Sequence, residues 1–186
     1  QQGSQSALNM HNPNGVANAL LSLDQLQATC PNVAWVSVVA SWFGTDLNAG
    51  SCTVVPGVEY QNGAITSPDS WQVGSFTRST ARQITLVDGV PQYGGTPDDD
   101  SILRYLGELR TRGYKIAFYP LVFMDISGKP WRGDLTGSAS DMSSFFTKTN
   151  GYNTFITHYA TLTAGAIDAF IIGSELKGLT KVTDTP

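Results

Sequence analysis

Three strongly apolar runs, residues 33–40, 114–123 and 169–172, constrain this chain most. Runs of this kind, short and bounded by turn residues, read as buried strands of a parallel sheet. Parallel neighbours need a crossover, and the spacers carry helical patterns. Thr96-Pro97-Asp98-Asp99-Asp100 reads as a helix start with Thr96 as N-cap, Pro97 in the first position and acids against the positive end. Ile102, Leu103, Leu106 and Leu109 follow at helical spacing, and Gly113 supplies a left-handed stop. Residues 141–149 and 152–162 are helical, with Phe145, Ile156, Tyr159 and Leu162 facing inward and His158 packed within the helix. Upstream, Ser22-Leu23-Asp24-Gln25 reads as a capping box that opens a short helix through about Thr29.

The fold class expected is therefore α/β, an open βαβαβ array. A closed (β/α)8 barrel takes eight such units and about 250 residues, so 186 residues with three strands are expected to form only part of one. A self-contained half-barrel or a flavodoxin-like sheet is the alternative, and it leaves open edges to be covered. Residues 47–95 break the βα rhythm. Strand-like pieces at 52–55, 72–76 and 83–87 alternate with Pro56-Gly57, Asn62-Gly63 and Asp88-Gly89 turns, which predicts a β-rich insertion within a domain spanning 21–186. Residues 1–20 are expected to be a linker or extended segment.

Charged residues make up 14% of the chain, against about a quarter in ordinary domains. A neutral-polar surface suits carbohydrate contact and is also common in secreted and virion proteins. The net charge is −4 with no basic block, so direct nucleic-acid binding is not expected. No apolar run approaches the roughly 18 residues of a membrane span, and no signal peptide is expected from the polar residues 1–6. No Gly-rich phosphate fingerprint follows a strand. Cys30 and Cys52 are expected to be two buried free thiols, although they could meet across a hairpin. They have no zinc spacing with His11 or His158, and no metal or cofactor is expected.

The candidate chemistry lies after the strands. Glu175 follows 169–172, at the end where α/β folds place their active groups, and is the candidate general acid; a helix cap or solvated loop carboxylate is the plainer reading. Asp46 and Asp125 also follow strands. Trp42 is either a sugar-stacking platform or a core or rim tryptophan. Trp131 and Arg132 pair a flat apolar surface with a fork of donors in a Gly-rich loop.

Several stretches also carry a family resemblance: Ser41-Trp42-Phe43-Gly44-Thr45-Asp46, Tyr93-Gly94-Gly95-Thr96-Pro97-Asp98, Phe118-Tyr119-Pro120, Pro130-Trp131-Arg132-Gly133 and Ile172-Gly173-Ser174-Glu175-Leu176-Lys177-Gly178-Leu179-Thr180. Gly173-Ser174-Glu175-Leu176 resembles the Gly-Asn-Glu strand end of (β/α)8 glycoside hydrolases, whose Glu is the acid/base after the fourth strand. From 23 to 180 the chain resembles the glycoside-hydrolase-like TIM-barrel domain of gene transfer agent and phage tail proteins, a relative of β-mannanase-type hydrolases.

The resemblance implies that the three strands are barrel strands two to four and that Glu175 is the acid/base. It also implies that Trp42, Asp46, Tyr119, Asp125, Trp131 and Arg132 surround a substrate cleft. It implies a tail-tip or baseplate hub protein on a virion or phage-like particle. Its partners would be other tail proteins, copies of itself and host cell-surface polysaccharide. An active endo-β-mannanase-like glycoside hydrolase is the alternative. The second carboxyl group that glycoside hydrolysis requires would come from strand seven, so residues 1–186 alone are expected to be inactive. Where β-mannanase-type enzymes carry Lys-Pro-His, this chain has Tyr119-Pro120-Leu121, which removes polar groups suited to holding a sugar.

Overall fold

A computed structural model of the chain describes residues 10, 12–62 and 70–183. Helix α1, Asn18–Thr29, leads into strand β1, Trp35–Gly44. Seven two-residue strands follow: β2 Val54–Val55, β3 Gly57–Val58, β4 Gln72–Val73, β5 Phe76–Thr77, β6 Arg82–Gln83, β7 Leu86–Val87 and β8 Val90–Pro91. Then come α2 Asp99–Thr111, β9 Lys115–Met124, α3 Ala139–Thr147, α4 Tyr152–Leu162 and β10 Ala169–Phe170. The main sheet has the order β10-β9-β1-β2, and β1, β9 and β10 are parallel. Successive strands lie side by side, joined first through α2 and then through α3 and α4. This is the α/β architecture of a partial TIM-barrel-like segment.

The two sheet faces differ. Even-numbered residues of β9, from Ile116 to Met124, are buried, and Phe118 packs its ring against Tyr159 of α4. Ile102, Leu106 and Leu109 of α2 join the same core. The opposite face is open at Trp35 and Val39, each 49% exposed. The uniformly apolar strand sequences therefore serve a sheet fully covered on one side only, whose other face a closed barrel would turn inward. Pro120 does not end β9, which continues to Met124. Even-numbered carbonyls of β9 point toward β10, as Ile116 and Phe118 accept from Asp168 and Ile171. Pro120 faces the same side beyond the end of β10, so its missing N–H leaves no ladder bond unmade.

Local sequence signals hold in part. Asp88 and Gly89 both take positive φ, 52° and 78°, giving the tight turn that the β7–β8 hairpin requires. Gly113 ends α2 at φ 82°. Of the expected α2 stripe Leu103 alone is exposed. Gly63 of the expected Asn62-Gly63 turn and His11 lie outside the described residues, as do residues 1–9 of the expected N-terminal linker.

Two helix starts differ from expectation. Ser22 sits inside α1, which begins four residues earlier with no side-chain cap. The N-cap of α2 is Asp98, whose carboxylate accepts from the Ser101 N–H at 2.9 Å. Thr96 is buried instead, its hydroxyl donating to the Ser41 carbonyl at 2.7 Å and accepting from the Gly57 N–H at 3.0 Å. Buried backbone groups from two strands have claimed the oxygen that would have capped the helix.

Cys30 and Cys52 are both free, as expected, but only Cys52 is buried. Among the described residues no helix is long and apolar enough to cross a membrane.

Candidate functional site

The loops after β9 and β10 are locked together at the C-terminal end of the sheet. After β9 the chain turns at Gly128 and Lys129, both in the left-handed region at φ 80° and 46°. Pro130 and Trp131 follow, and then a 3-10 turn, Arg132–Asp134. The Gly178 N–H donates to the Gly133 carbonyl at 2.8 Å. A Cβ on Gly178 would lie 2.2 Å from the Leu135 carbonyl oxygen, so only glycine permits this approach. That clamp sets the Glu175 carboxylate opposite Trp131 and Arg132. Its Oε2 accepts from Trp131 Nε1 at 2.7 Å and pairs with Arg132 Nη2 at 2.9 Å. Glu175 holds φ 56°, a left-handed conformation uncommon for any residue with a side chain.

The neighbours extend the site. Tyr119 bonds through its hydroxyl to Ser174 Oγ, next to Glu175. Tyr152 donates to the Ile172 carbonyl at 3.1 Å. Burial, with the nearby Tyr119 adding and Arg132 opposing, pushes the Tyr152 phenol up to about 12, so it stays a donor at physiological pH. A groove of about 360 Å³ opens beside Arg132, bounded by Tyr93, Phe123, Lys129 and Trp131. Tyr93 and Phe123 stack with centroids 5.1 Å apart, and the Lys129 ammonium lies 4.7 Å over the Tyr93 ring.

Of the residues that sequence reasoning nominated, Glu175, Trp131 and Arg132 meet directly, and Tyr119 adjoins them. The others do not join this cluster. Trp42 is 2% exposed, its Nε1 donating to the Tyr159 hydroxyl at 3.0 Å and its ring packed on Phe155, His158 and Tyr159. It is a core residue with no face free for a sugar, which corrects the stacking assignment. Asp46 accepts from the Asn48 N–H at 2.8 Å and shapes its own turn.

Asp125 is also corrected, from cleft residue to buried anchor. Fully buried, it accepts from Arg82 Nε at 2.6 Å, Gln92 Nε2 at 2.7 Å and the Thr85 N–H at 3.1 Å. Burial alone would raise its carboxyl group. The bonds from Gln92, Arg82 and Thr85, together with the Arg82 charge, outweigh burial and hold it below the ordinary carboxylate range. Its lone pairs fasten the insertion to the end of β9. His158 bonds Asp99 at 2.9 Å and packs on Trp42, a structural role as expected.

Sequence reasoning missed Tyr93, Phe123 and Lys129 as groove residues. Gly128 before Lys129 marks a turn, but nothing local reports that the insertion returns Tyr93 to the end of β9. Among the described residues no group of three or more His, Cys, Asp or Glu side chains could hold a metal.

Comparison with known proteins bears on the Glu175 segment first. Residues 150–186 match the family model described as the GTA TIM-barrel-like domain. The match spans α4, β10 and the Glu175 loop. Two solved structures of GH113 β-1,4-mannanase share the fold. One, a complex, has 16% identity and a TM-score of 0.54 over 88% of this chain. The other has 15% identity and a TM-score of 0.51 over 86%. At that identity the likeness is one of fold. The chain spans about two-fifths of the length of those enzymes, 41% and 40%. No curated protein matches it. The chain has the fold of a partial TIM barrel, similar to the corresponding part of those enzymes.

Proposed function

We propose that this chain is the glycan-contacting part of a tail-tip or baseplate hub protein of a phage or gene transfer agent. Its place is the particle's tail tip, among other tail proteins and copies of itself, where it meets the polysaccharide of a host cell. One observation carries this reading: Trp131 and Arg132 converge on Glu175 beside an open, aromatic-bounded groove at the C-terminal ends of parallel strands. Aromatic faces suit the apolar faces of sugar rings, and the fork of an arginine suits their oxygens. Ligands of barrel folds bind at this end of the strands.

A working glycosidase with Glu175 as acid/base is the second reading, favoured by its left-handed backbone, since strain of that kind gathers at functional positions. Hydrolysis also needs a second carboxyl group about 5 Å away for retention or roughly 6.5–9.5 Å for inversion. Among the described residues no carboxylate lines the groove, and the nominated Asp125 is taken up by Arg82, Gln92 and Thr85. The binding reading asks only for the rim that Trp131, Arg132 and Glu175 form, and it is the one preferred.

The test uses the full-length protein on immobilised host surface polysaccharide. Trp131→Ala should abolish or strongly weaken binding with folding intact. Unchanged binding would return Trp131 to the role of a rim residue. Glu175→Gln separates the readings: an enzyme loses turnover by orders of magnitude, while a binding module keeps particle assembly and delivery.

A further inference from the structure

The charge of the groove is opposite to that of the chain. The sequence carries −4, yet the charged residues lining the groove are Lys129 and Arg132, both cationic. Arg132 is also under-used as a donor. A guanidinium has five N–H groups, and this one is only 12% exposed. Glu175 is the one acceptor the described residues offer it, through Nη2. Its Nε–H is buried without any partner among them. Buried donors in native structures are nearly always paired, and an exception calls for an explanation. Lys129 is exposed and needs no buried partner. It touches the Gln92 carbonyl at 2.5 Å and lies over Tyr93, which parks its ammonium over the groove.

Resting on the glycan-contact reading above, we infer that the groove selects an acidic glycan. It seats a carboxylate or phosphate of the sugar chain on Arg132 and Lys129, while Tyr93 and Trp131 carry the apolar faces of the rings. The incoming anion shares the Arg132 fork with Glu175, whose negative charge opposes it. Two cations outweigh that single carboxylate, and the Lys129 ammonium lies over the Tyr93 ring. A neutral sugar would leave the surplus Arg132 donors only hydroxyl acceptors, and hydrogen bonds to a charged acceptor are roughly twice as strong.

The experiment is a calorimetric titration of the full-length protein with three probes: hexagalacturonic acid, a glycerol-phosphate oligomer and mannohexaose. The acidic probes should bind about tenfold or more tighter than mannohexaose, and their affinity should fall as salt is raised. Preference between the first two identifies the source of the anion as carboxylate or phosphodiester. Lys129→Gln, at an exposed position, and Arg132→Lys, which keeps the charge but loses the fork, should each weaken the acidic probes more than mannohexaose, so that the preference for acid falls. Mannohexaose bound as tightly as the acidic probes, or acidic binding unmoved by both variants, would overturn the inference. Binding of mannohexaose alone would refute acid selection and leave glycan contact standing. Binding of none of the three would overturn both.

Discussion

Replacing Asp125 with alanine tests how the insertion is fastened to the barrel strands. The carboxylate is fully buried and takes donors from Arg82, Gln92 and Thr85. Its loss leaves a guanidinium, a side-chain amide and a backbone N–H without that acceptor. Breaking a buried ion pair from one side costs about 3–5 kcal/mol. Arg82 is 30% exposed, so water can re-solvate part of its charge. The lower end of that range applies, about 3 kcal/mol. Asp125→Asn keeps the shape and one acceptor oxygen and should cost about 1–2 kcal/mol.

The pH dependence follows from the direction of the shift. The Asp125 carboxyl lies below its ordinary value in the folded chain. Its contribution is therefore fully present above the unfolded value of about 3.9 and is lost as pH falls through the lower folded value. Denaturant unfolding at neutral and acid pH measures both effects. The gap between wild type and Asp125→Ala should be widest at neutral pH and close in acid. Hydrogen exchange should locate the loosening in residues 82–95, with Tyr93 losing its place at the groove. A neutral-pH cost below about 1 kcal/mol, or a gap indifferent to pH, would refute the reasoning.

Thr96→Val leaves the Ser41 carbonyl and the Gly57 N–H unpartnered inside the protein and should cost about 2 kcal/mol by the same unfolding assay. Asp98→Ala, which removes the α2 cap, should cost about 1 kcal/mol; no loss at Asp98 would mean that its carboxylate is not the cap. Trp42→Ala should cost about 3–5 kcal/mol as a core truncation, and a small change would mean its ring is not packed as described. Glu175→Gly removes a side chain from a left-handed position, so melting temperature should hold or rise. A marked drop in stability would show that the Trp131 and Arg132 contacts outweigh the backbone strain.

The parts of this fold legible in the sequence are those whose cause is local. Three apolar runs became β1, β9 and β10, and Gly113 and Asp88-Gly89 stopped the chain where left-handed backbone was needed. The errors came from distant competition. Thr96 and Asp98 both offer a capping oxygen, and Thr96 lost the role because Ser41 and Gly57, far back in sequence, bury their backbone groups against it. Trp42 follows the apolar run 33–40 as a stacking residue would, but it lies within β1, and Tyr159 and Phe155 arrive from α4 to enclose it. Asp125 stands at a strand end like Glu175. Only the path of the insertion, invisible in local pattern, brings Arg82 and Gln92 to consume it. The Glu175 cluster was readable because strand ends of a parallel sheet share one rim, so residues far apart in sequence meet there. Tyr93 was not, since it reaches that rim from the insertion.

The central claim, that the rim beside Glu175 is the surface that meets glycan, is tested most directly by fluorine NMR of protein labelled with fluorotryptophan. The chain has four tryptophans, and they differ in place: Trp131 bounds the groove, Trp42 and Trp71 are buried, and Trp35 lies exposed at the N-terminal start of β1. Titration with host surface polysaccharide should move the Trp131 resonance in a saturable way and leave Trp42 and Trp35 in place. A Trp131 signal that stays fixed through the titration, or a response confined to Trp35, would contradict the account.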